Sequence, residues 1–211
     1  MKLVMVKFKT EEKFDNRDSE KLRGYIGNLF SSNVLFHNHL GKYEFLYKSS
    51  KIYYRVIEGE LSIVGICQGA ELLLEKAGDI NEVVIGGKTH EILRKEIIEK
   101  EFDLNIGDTL HKYKFDTLWM ALNDKNYKKY KSGEFFLDRN LQNNIIEFFK
   151  LCGVWADKPI MVKGEYKEHK ITKKDTSLIG FSGWFVTNVK LPDYISLGKR
   201  KSIGFGSIKR E

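Results

Sequence analysis

Apolar and polar positions follow two periods along this chain, and together they predict a mixed α+β protein. Residues 2–9 combine apolar and charged side chains and are predicted to form a strand with one buried face. Apolar residues then recur at three- and four-residue steps from Leu22 to Phe30, after the capping candidates Asp18 and Ser19, and predict a helix. The rest of the first half is predicted to contain strands over 43–47, 51–58 and 60–67, a short helix over 70–77, a strand over 82–85 and a mixed stretch to about 103.

The second half repeats this order of elements without repeating the sequence. It is predicted to contain a strand over 113–122, a helix with its apolar face from Leu141 to Cys152, strands over 160–166 and 180–190, a glycine-rich segment and a short last strand. The order β-α-β-β-α-β is that of the ferredoxin-like fold, and the glycine-rich segment stands in the place of the last helix. The sequence therefore predicts two tandem ferredoxin-like domains, 1–103 and 104–211, a topology shared with RNA-recognition modules.

Composition narrows the class of partner. The 211 residues carry a formal charge of +7, which favours a polyanion such as a nucleic acid, although a lysine-rich genome gives the same bias. Cys67 and Cys152 fit no paired motif and are expected to be small buried hydrophobes. No apolar run has membrane-spanning length and the first residues lack a signal-peptide core, so we expect a cytoplasmic protein that does not enter a membrane.

The glycine-rich segment near the end of the chain is the first candidate binding site. It has the sequence LGKRKSIGFGSIKR over 197–210. Glycine lets a backbone come close to a ligand, while lysine and arginine supply positive charge and donors for phosphate. The segment is therefore interpreted as a cradle for a polyanion, or alternatively as a hairpin with solvated lysines. The candidate residues are Gly198, Lys199, Arg200, Lys201, Ser202, Gly204 and Gly206.

The second candidate site is a pair of histidines, His37 and His39. In an extended segment, residues two apart point to the same side. Two imidazoles can cut an RNA backbone if one takes a proton from a 2′-hydroxyl and the other gives one to the departing 5′-oxygen. Tyr47 is placed to orient the phosphate or share the acid role, and Lys42 to offset negative charge. A metal half-site and a surface pair are the alternatives, but the remaining histidines are isolated, so no metal is predicted.

Both segments resemble the CRISPR-associated endoribonucleases that cut precursor repeat RNA, the Cas six family. The basic loop that ends in Gly204-Phe205-Gly206 is similar to the family's C-terminal signature. The stretch VLFHNH over 34–39, with Tyr47 and IYYRVI over 52–57, resembles the catalytic region of the branch that has a histidine pair. Three further segments follow the same branch, namely 64–73, 113–123 and 181–195. The chain departs from the family at Ser49-Ser50 and at Leu118, where a proline is common.

The resemblance implies a metal-independent endoribonuclease that needs no cofactor. It implies attack by the 2′-hydroxyl within the repeat, which leaves a 2′,3′-cyclic phosphate and a 5′-hydroxyl. His37, His39 and Tyr47 then become the catalytic residues, and the glycine-rich loop contacts the RNA. The implied partners are the precursor repeat RNA, subunits of a CRISPR interference complex and a second copy of the chain. Two alternatives stay open: a repeat-binding subunit with weak or no catalysis, and an unrelated basic ferredoxin-like protein.

Overall fold

The computed structural model describes residues 1–37, 50–173 and 176–211, and within them it has the predicted α+β architecture. The chain divides into two compact units. The first contains Met1–Phe102 together with Ser202–Gly204, and the second contains Asp103–Lys201 and Phe205–Glu211. The three residues from the glycine-rich segment that pack with the first unit were not expected there.

The first unit is built on a four-stranded antiparallel sheet in the order β2-β3-β1-β6, which is the ferredoxin-like order. A separate hairpin of two strands, β4 and β5, is inserted before the last strand of this sheet. The elements are β1 (Lys2–Lys9), α1 (Asp18–Leu29), α2 (Val34–His37), β2 (Ile52–Ile57), β3 (Glu60–Ile66), α3 (Gln68–Lys76), β4 (Glu82–Ile85), β5 (Lys88–Glu91) and β6 (Arg94–Glu101).

The helices α1 and α3 supply the apolar face that covers this sheet. Leu22 and Ile26 of α1 are fully buried, as their spacing predicts, and they share a core with Val6 of β1 and Leu73 of α3. Each such side chain contributes about 1.5–3 kcal/mol when fully removed from water. The core therefore fixes both helices on one side of the sheet.

The fourth strand of this sheet is not the one that the sequence predicts. The apolar run over 82–85 forms β4, which among the described residues pairs only with β5. The sheet is completed by β6, which stays in register with β1 from Lys2 opposite Glu101 to Lys9 opposite Arg94. The prediction was wrong because β6 is an edge strand with mostly exposed charged residues, so it shows no alternation of apolar and polar positions.

The second unit repeats the ferredoxin-like order with β10-β7-β9-β8. Strands β8 and β9 form a long hairpin, and only a short 3₁₀ turn at Lys201–Ile203 lies between β9 and β10 in place of a second helix. The elements are β7 (Ile106–Phe115), α4 (Asp124–Lys131), α5 (Leu137–Leu151), β8 (Val162–Lys173), β9 (Thr176–Val189) and β10 (Ile208–Arg210).

Two elements of this unit differ from the sequence-based prediction. The strand predicted over 113–122 is β7, which begins earlier and ends at Phe115; beyond it, Trp119 makes only a single bridge to Phe181. Helix α4 was not predicted at all. None of the helices in the described part of the chain is long and apolar enough to cross a membrane. Cys67 and Cys152 are half-buried thiols without a disulfide.

Candidate functional site

The turn that leads to His37 is fixed by its own hydrogen bonds and by aromatic packing. The side-chain oxygen of Asn33 accepts from the Leu35 amide at 3.1 Å, and the Asn33 carbonyl accepts from the Phe36 amide at the same distance. Phe36 is buried and stacks on Phe30 with 4.8 Å between ring centroids. These contacts hold the short helix α2 against the core of the first unit, and α2 ends at His37.

Tyr54 anchors the same turn from the sheet. Its hydroxyl donates to the Phe36 carbonyl at 2.8 Å, and the whole side chain is buried in β2. Burial raises the pKa of Tyr54 far above its usual range, so the phenol remains a neutral donor. Ser50, which precedes β2, is also buried and donates to the Ile52 carbonyl at 2.6 Å. The backbone is therefore fixed on both sides of the segment 38–49.

The predicted catalytic residues lie at or beyond the edge of the described structure. His37 is described only by its backbone, as the last residue of α2. His39, Lys42 and Tyr47 lie outside the described residues. Their roles, and the geometry of the histidine pair, stay predictions from the sequence.

The glycine-rich loop is held at both ends by backbone hydrogen bonds within the second unit. The Leu197 amide donates to the Gly206 carbonyl, and the Gly206 amide donates to the Leu118 carbonyl, both at 2.9 Å. The Lys199 amide donates to the Met120 carbonyl at 2.9 Å. The segment 118–120, which was predicted as part of a strand, therefore serves as the support on which the loop is closed.

The three glycines of this loop all have positive φ, and each faces protein atoms. A Cβ on Gly198 would lie 2.6 Å from the indole nitrogen of Trp119, and a Cβ on Gly206 would overlap the Leu197 carbonyl. A Cβ on Gly204 would come within 2.9 Å of the side-chain oxygen atoms of Asn16 and Ser19. Glycine is therefore required at these positions by backbone conformation and by close packing, before any ligand is considered.

The cations of the loop are not equivalent. Lys199 and Arg200 are exposed, and Arg200 itself has a positive φ of 54°. Lys201 is half-buried in the 3₁₀ turn; burial and the neighbouring Lys199 lower the pKa of Lys201, and Glu147 opposes them. Ser202 is also half-buried. Of the predicted contacts, Lys199 and Arg200 are thus the two charges best placed to meet a ligand from solvent.

Two structural features that bear on the candidate sites escaped the sequence interpretation. One is Tyr54, because a tyrosine in an apolar strand gives no sign that its hydroxyl holds a distant carbonyl. The other is α4, with the sequence DKNYKKYK, whose density of lysines was a usable signal. Among the residues that the structure describes, no cluster of three or more metal-ligating side chains is present.

Comparison with known proteins agrees with this architecture. A solved structure described as Cas6b matches all of this chain and all of its own, with a TM-score of 0.90 and 30% identity. A second, described as the CRISPR RNA processing endoribonuclease Cas6b, also matches over both full lengths, with a TM-score of 0.77 and 28% identity. An uncharacterized protein of Methanocaldococcus jannaschii, MJ0978, is 29% identical over 138 residues, which are 63% of this chain and 94% of that protein.

The two ferredoxin-like units in tandem give this chain the fold of the solved Cas6 structures that it matches. A structure described as CRISPR associated protein Cas6 shares that fold at 12% identity, with a TM-score of 0.56. The family models for the two domains of Cas6b match residues 1–103 (N-terminal domain) and 105–211 (C-terminal domain). The chain belongs to the Cas6b family.

Proposed function

We propose that this protein is an endoribonuclease that cuts CRISPR precursor RNA within its repeats. The observation that carries this proposal is the match to Cas6b over the full length of both chains, with a TM-score of 0.90. The related structure described as a CRISPR RNA processing endoribonuclease supports the same reaction. The net charge of +7 suits a polyanionic substrate.

The reaction proposed for the histidine pair is an internal transesterification. One of His37 and His39 accepts the proton of the 2′-hydroxyl as its oxygen attacks the adjacent phosphorus, and the other donates a proton to the departing 5′-oxygen. The products are a 2′,3′-cyclic phosphate and a 5′-hydroxyl, so the reaction consumes no water. In this proposal the two imidazoles carry out the proton transfers that a metal would otherwise assist. Tyr47 orients the phosphate, and Lys42 stabilises the charge on its oxygens. The anchored turn at Phe36 supports this proposal, because it fixes the backbone immediately before the first histidine.

The glycine-rich loop is proposed to bind the phosphate backbone rather than to take part in proton transfer. Its exposed cations Lys199 and Arg200 are carried on a backbone that is closed by three hydrogen bonds to Leu118, Met120 and Leu197. A fixed backbone lowers the entropy that the loop loses on binding. Contributions from Lys201 and Ser202 are expected to be smaller, since both are half-buried.

The deciding experiment is incubation of the pure protein with end-labelled repeat RNA in EDTA, followed by analysis of the product ends. A single cut that leaves a cyclic phosphate supports the proposal. His37→Ala combined with His39→Ala should lower the single-turnover rate at least about a hundredfold. His169→Ala is the matched control, because this histidine of β8 bonds only to Ser182 in the described structure. Binding without a cut would instead indicate a repeat-binding subunit of an interference complex.

A further inference from the structure

Helix α4 presents a row of lysines that the histidine pair and the glycine-rich loop do not account for. Four of the eight residues over Asp124–Lys131 are lysines, and all four are exposed. No described acidic side chain forms an ion pair with Lys125, Lys128 or Lys129, whereas Lys131 is paired with Glu168 at 3.6 Å. The first three are called the α4 lysine row below.

The attachment of α4 to its unit fixes the direction in which this row points. The Tyr130 hydroxyl donates to Glu168 of β8 at 2.8 Å, and the Tyr130 ring meets Phe181 of β9 edge-on at 5.5 Å. At about 100° per residue, Lys125, Lys128 and Lys129 cluster on one face of the helix, roughly opposite Tyr130. The helix is thus held to the sheet through its tyrosine and turns its lysine row to solvent.

The requirements of the helix itself explain only part of this row. Lysines at i, i+3 and i+4 repel one another, and a short helix without an apolar face has little intrinsic stability. Cations in the last turn are favoured by the helix dipole, which accounts for Lys128 and Lys129. Lys125 lies in the first turn, where the dipole disfavours a positive charge. The helix tolerates this arrangement through the Asn123 cap, whose side chain accepts from the Asn126 amide at 2.8 Å, and through the Tyr130 anchor.

We infer that the α4 lysine row is a second site for the phosphate backbone of the RNA, separate in sequence from the glycine-rich loop. Side chains three and four apart on a helix are about 5–6 Å apart at Cβ, so long flexible lysines can reach successive phosphates of one strand. A lysine binds phosphate as a point charge, without reading the base. The row therefore contributes to the affinity for RNA and not to recognition of its sequence. This inference rests on the proposed function, because it takes the substrate to be RNA.

The test compares two triple variants that remove the same charge. Lys125→Ala/Lys128→Ala/Lys129→Ala removes the row. The control, Lys2→Ala/Lys76→Ala/Lys88→Ala, removes three lysines of the first unit that are ion-paired with Glu99, Glu75 and Glu12 respectively. Affinity is measured from 50 to 200 mM salt on repeat RNA with 2′-O-methyl groups, which attack by the 2′-oxygen cannot cut. Cleavage of unmodified RNA is measured separately.

Each phosphate contact contributes about 0.7 to 0.9 to the slope of log affinity against log salt, so removing the row should lower the slope by about 2 to 3. The ratio of the wild-type affinity to the affinity of the variant should then fall about 20- to 40-fold between 50 and 200 mM salt. The control variant should change the slope by less than the value of about 0.7 to 0.9 that one phosphate contact contributes. The cleavage rate at saturating RNA should stay the same, because the row binds ground state and transition state alike. Alanine is a better helix former than lysine, so the variant is expected to fold.

Replacing the same three lysines by arginine should restore the salt slope. If the wild-type protein cuts repeat RNA and the α4 variant keeps the wild-type slope, the inference is wrong while the proposed function stands. A loss of affinity equal to that of the control variant would also overturn it, since only net charge would then matter. If the wild type neither binds nor cuts repeat RNA, the proposed function itself fails and the inference fails with it.

Discussion

Gly206→Ala is expected to destabilise the second unit, because this residue closes the glycine-rich loop in a conformation that a side chain resists. Gly206 has a φ of 67°, and a Cβ there would overlap the Leu197 carbonyl oxygen. The residue also accepts from the Leu197 amide and donates to the Leu118 carbonyl, each at 2.9 Å. A shift large enough to admit a methyl group must therefore weaken both hydrogen bonds.

The magnitude follows from these two costs. The left-handed conformation costs a non-glycine residue about 1–2 kcal/mol, and each weakened hydrogen bond about 1 kcal/mol. The expected loss is therefore about 3–4 kcal/mol of unfolding free energy. Gly153→Ala is the matched control, since Gly153 has a φ of 74° and a Cβ there meets no described atom within 4 Å. Gly153→Ala bears only the conformational cost of about 1–2 kcal/mol. The gain of about 0.4–1 kcal/mol from the stiffer unfolded chain is common to both variants and does not affect their difference.

Urea unfolding, monitored by tryptophan fluorescence, measures the stability of the second unit. The three tryptophans of the chain are Trp119, Trp155 and Trp184, and all of them lie in that unit. With a urea slope of about 1–3 kcal/mol per molar, Gly206→Ala should lower the midpoint by about 1–4 M. Gly153→Ala should lower it by less than half as much. Equal shifts for the two variants would refute the reasoning, because the packing against Leu197 would then contribute nothing.

Three further predictions concern the site. Tyr54→Phe leaves the Phe36 carbonyl without its donor, so it should lower the rate of cutting more than the affinity for RNA and lower the unfolding free energy by about 1–3 kcal/mol. Tyr127→Phe changes an exposed tyrosine of α4 outside the lysine row and should change neither, as cleavage assays and hydrogen exchange can establish. Lys199→Ala/Arg200→Ala should lower the salt slope of affinity by about 1.4 on a single strand, and adding Lys201→Ala should change it little, since Lys201 is half-buried; a large further drop would contradict the assignment of the loop cations. The single-turnover rate should be bell-shaped in pH around the imidazole range, and a rate that rises steadily through pH 9 would exclude a histidine base.

Periodicity predicted the elements that bury an apolar face and missed those that do not. Helix α1 has Leu22 and Ile26 on its buried side, and the main sheet of each unit has the ferredoxin-like strand order that the sequence predicts. Helix α4 and strand β6 are mostly charged and exposed, so neither shows a hydrophobic period. Their conformations depend on neighbours distant in sequence, namely Glu168 and Phe181 for α4 and the whole of β1 for β6. A periodic pattern of apolar residues indicates which side chains are buried. It does not indicate contacts that an exposed, charged element makes with residues distant in sequence.

A glycine in a sequence can indicate that other atoms pack closely against the backbone, but it does not indicate whether those atoms belong to a ligand or to the protein. The glycine-rich loop is an example. The sequence interpretation placed a phosphate there, whereas the nearest atoms belong to Trp119, Leu197 and the side chains of Asn16 and Ser19. A valine at Gly204, where φ is 91°, must therefore disturb the fold before it disturbs a ligand. Lost RNA affinity in Gly204→Val would by itself say nothing about a cradle. Only substitution of Lys199 and Arg200, which are exposed, can separate binding by the loop from its folding.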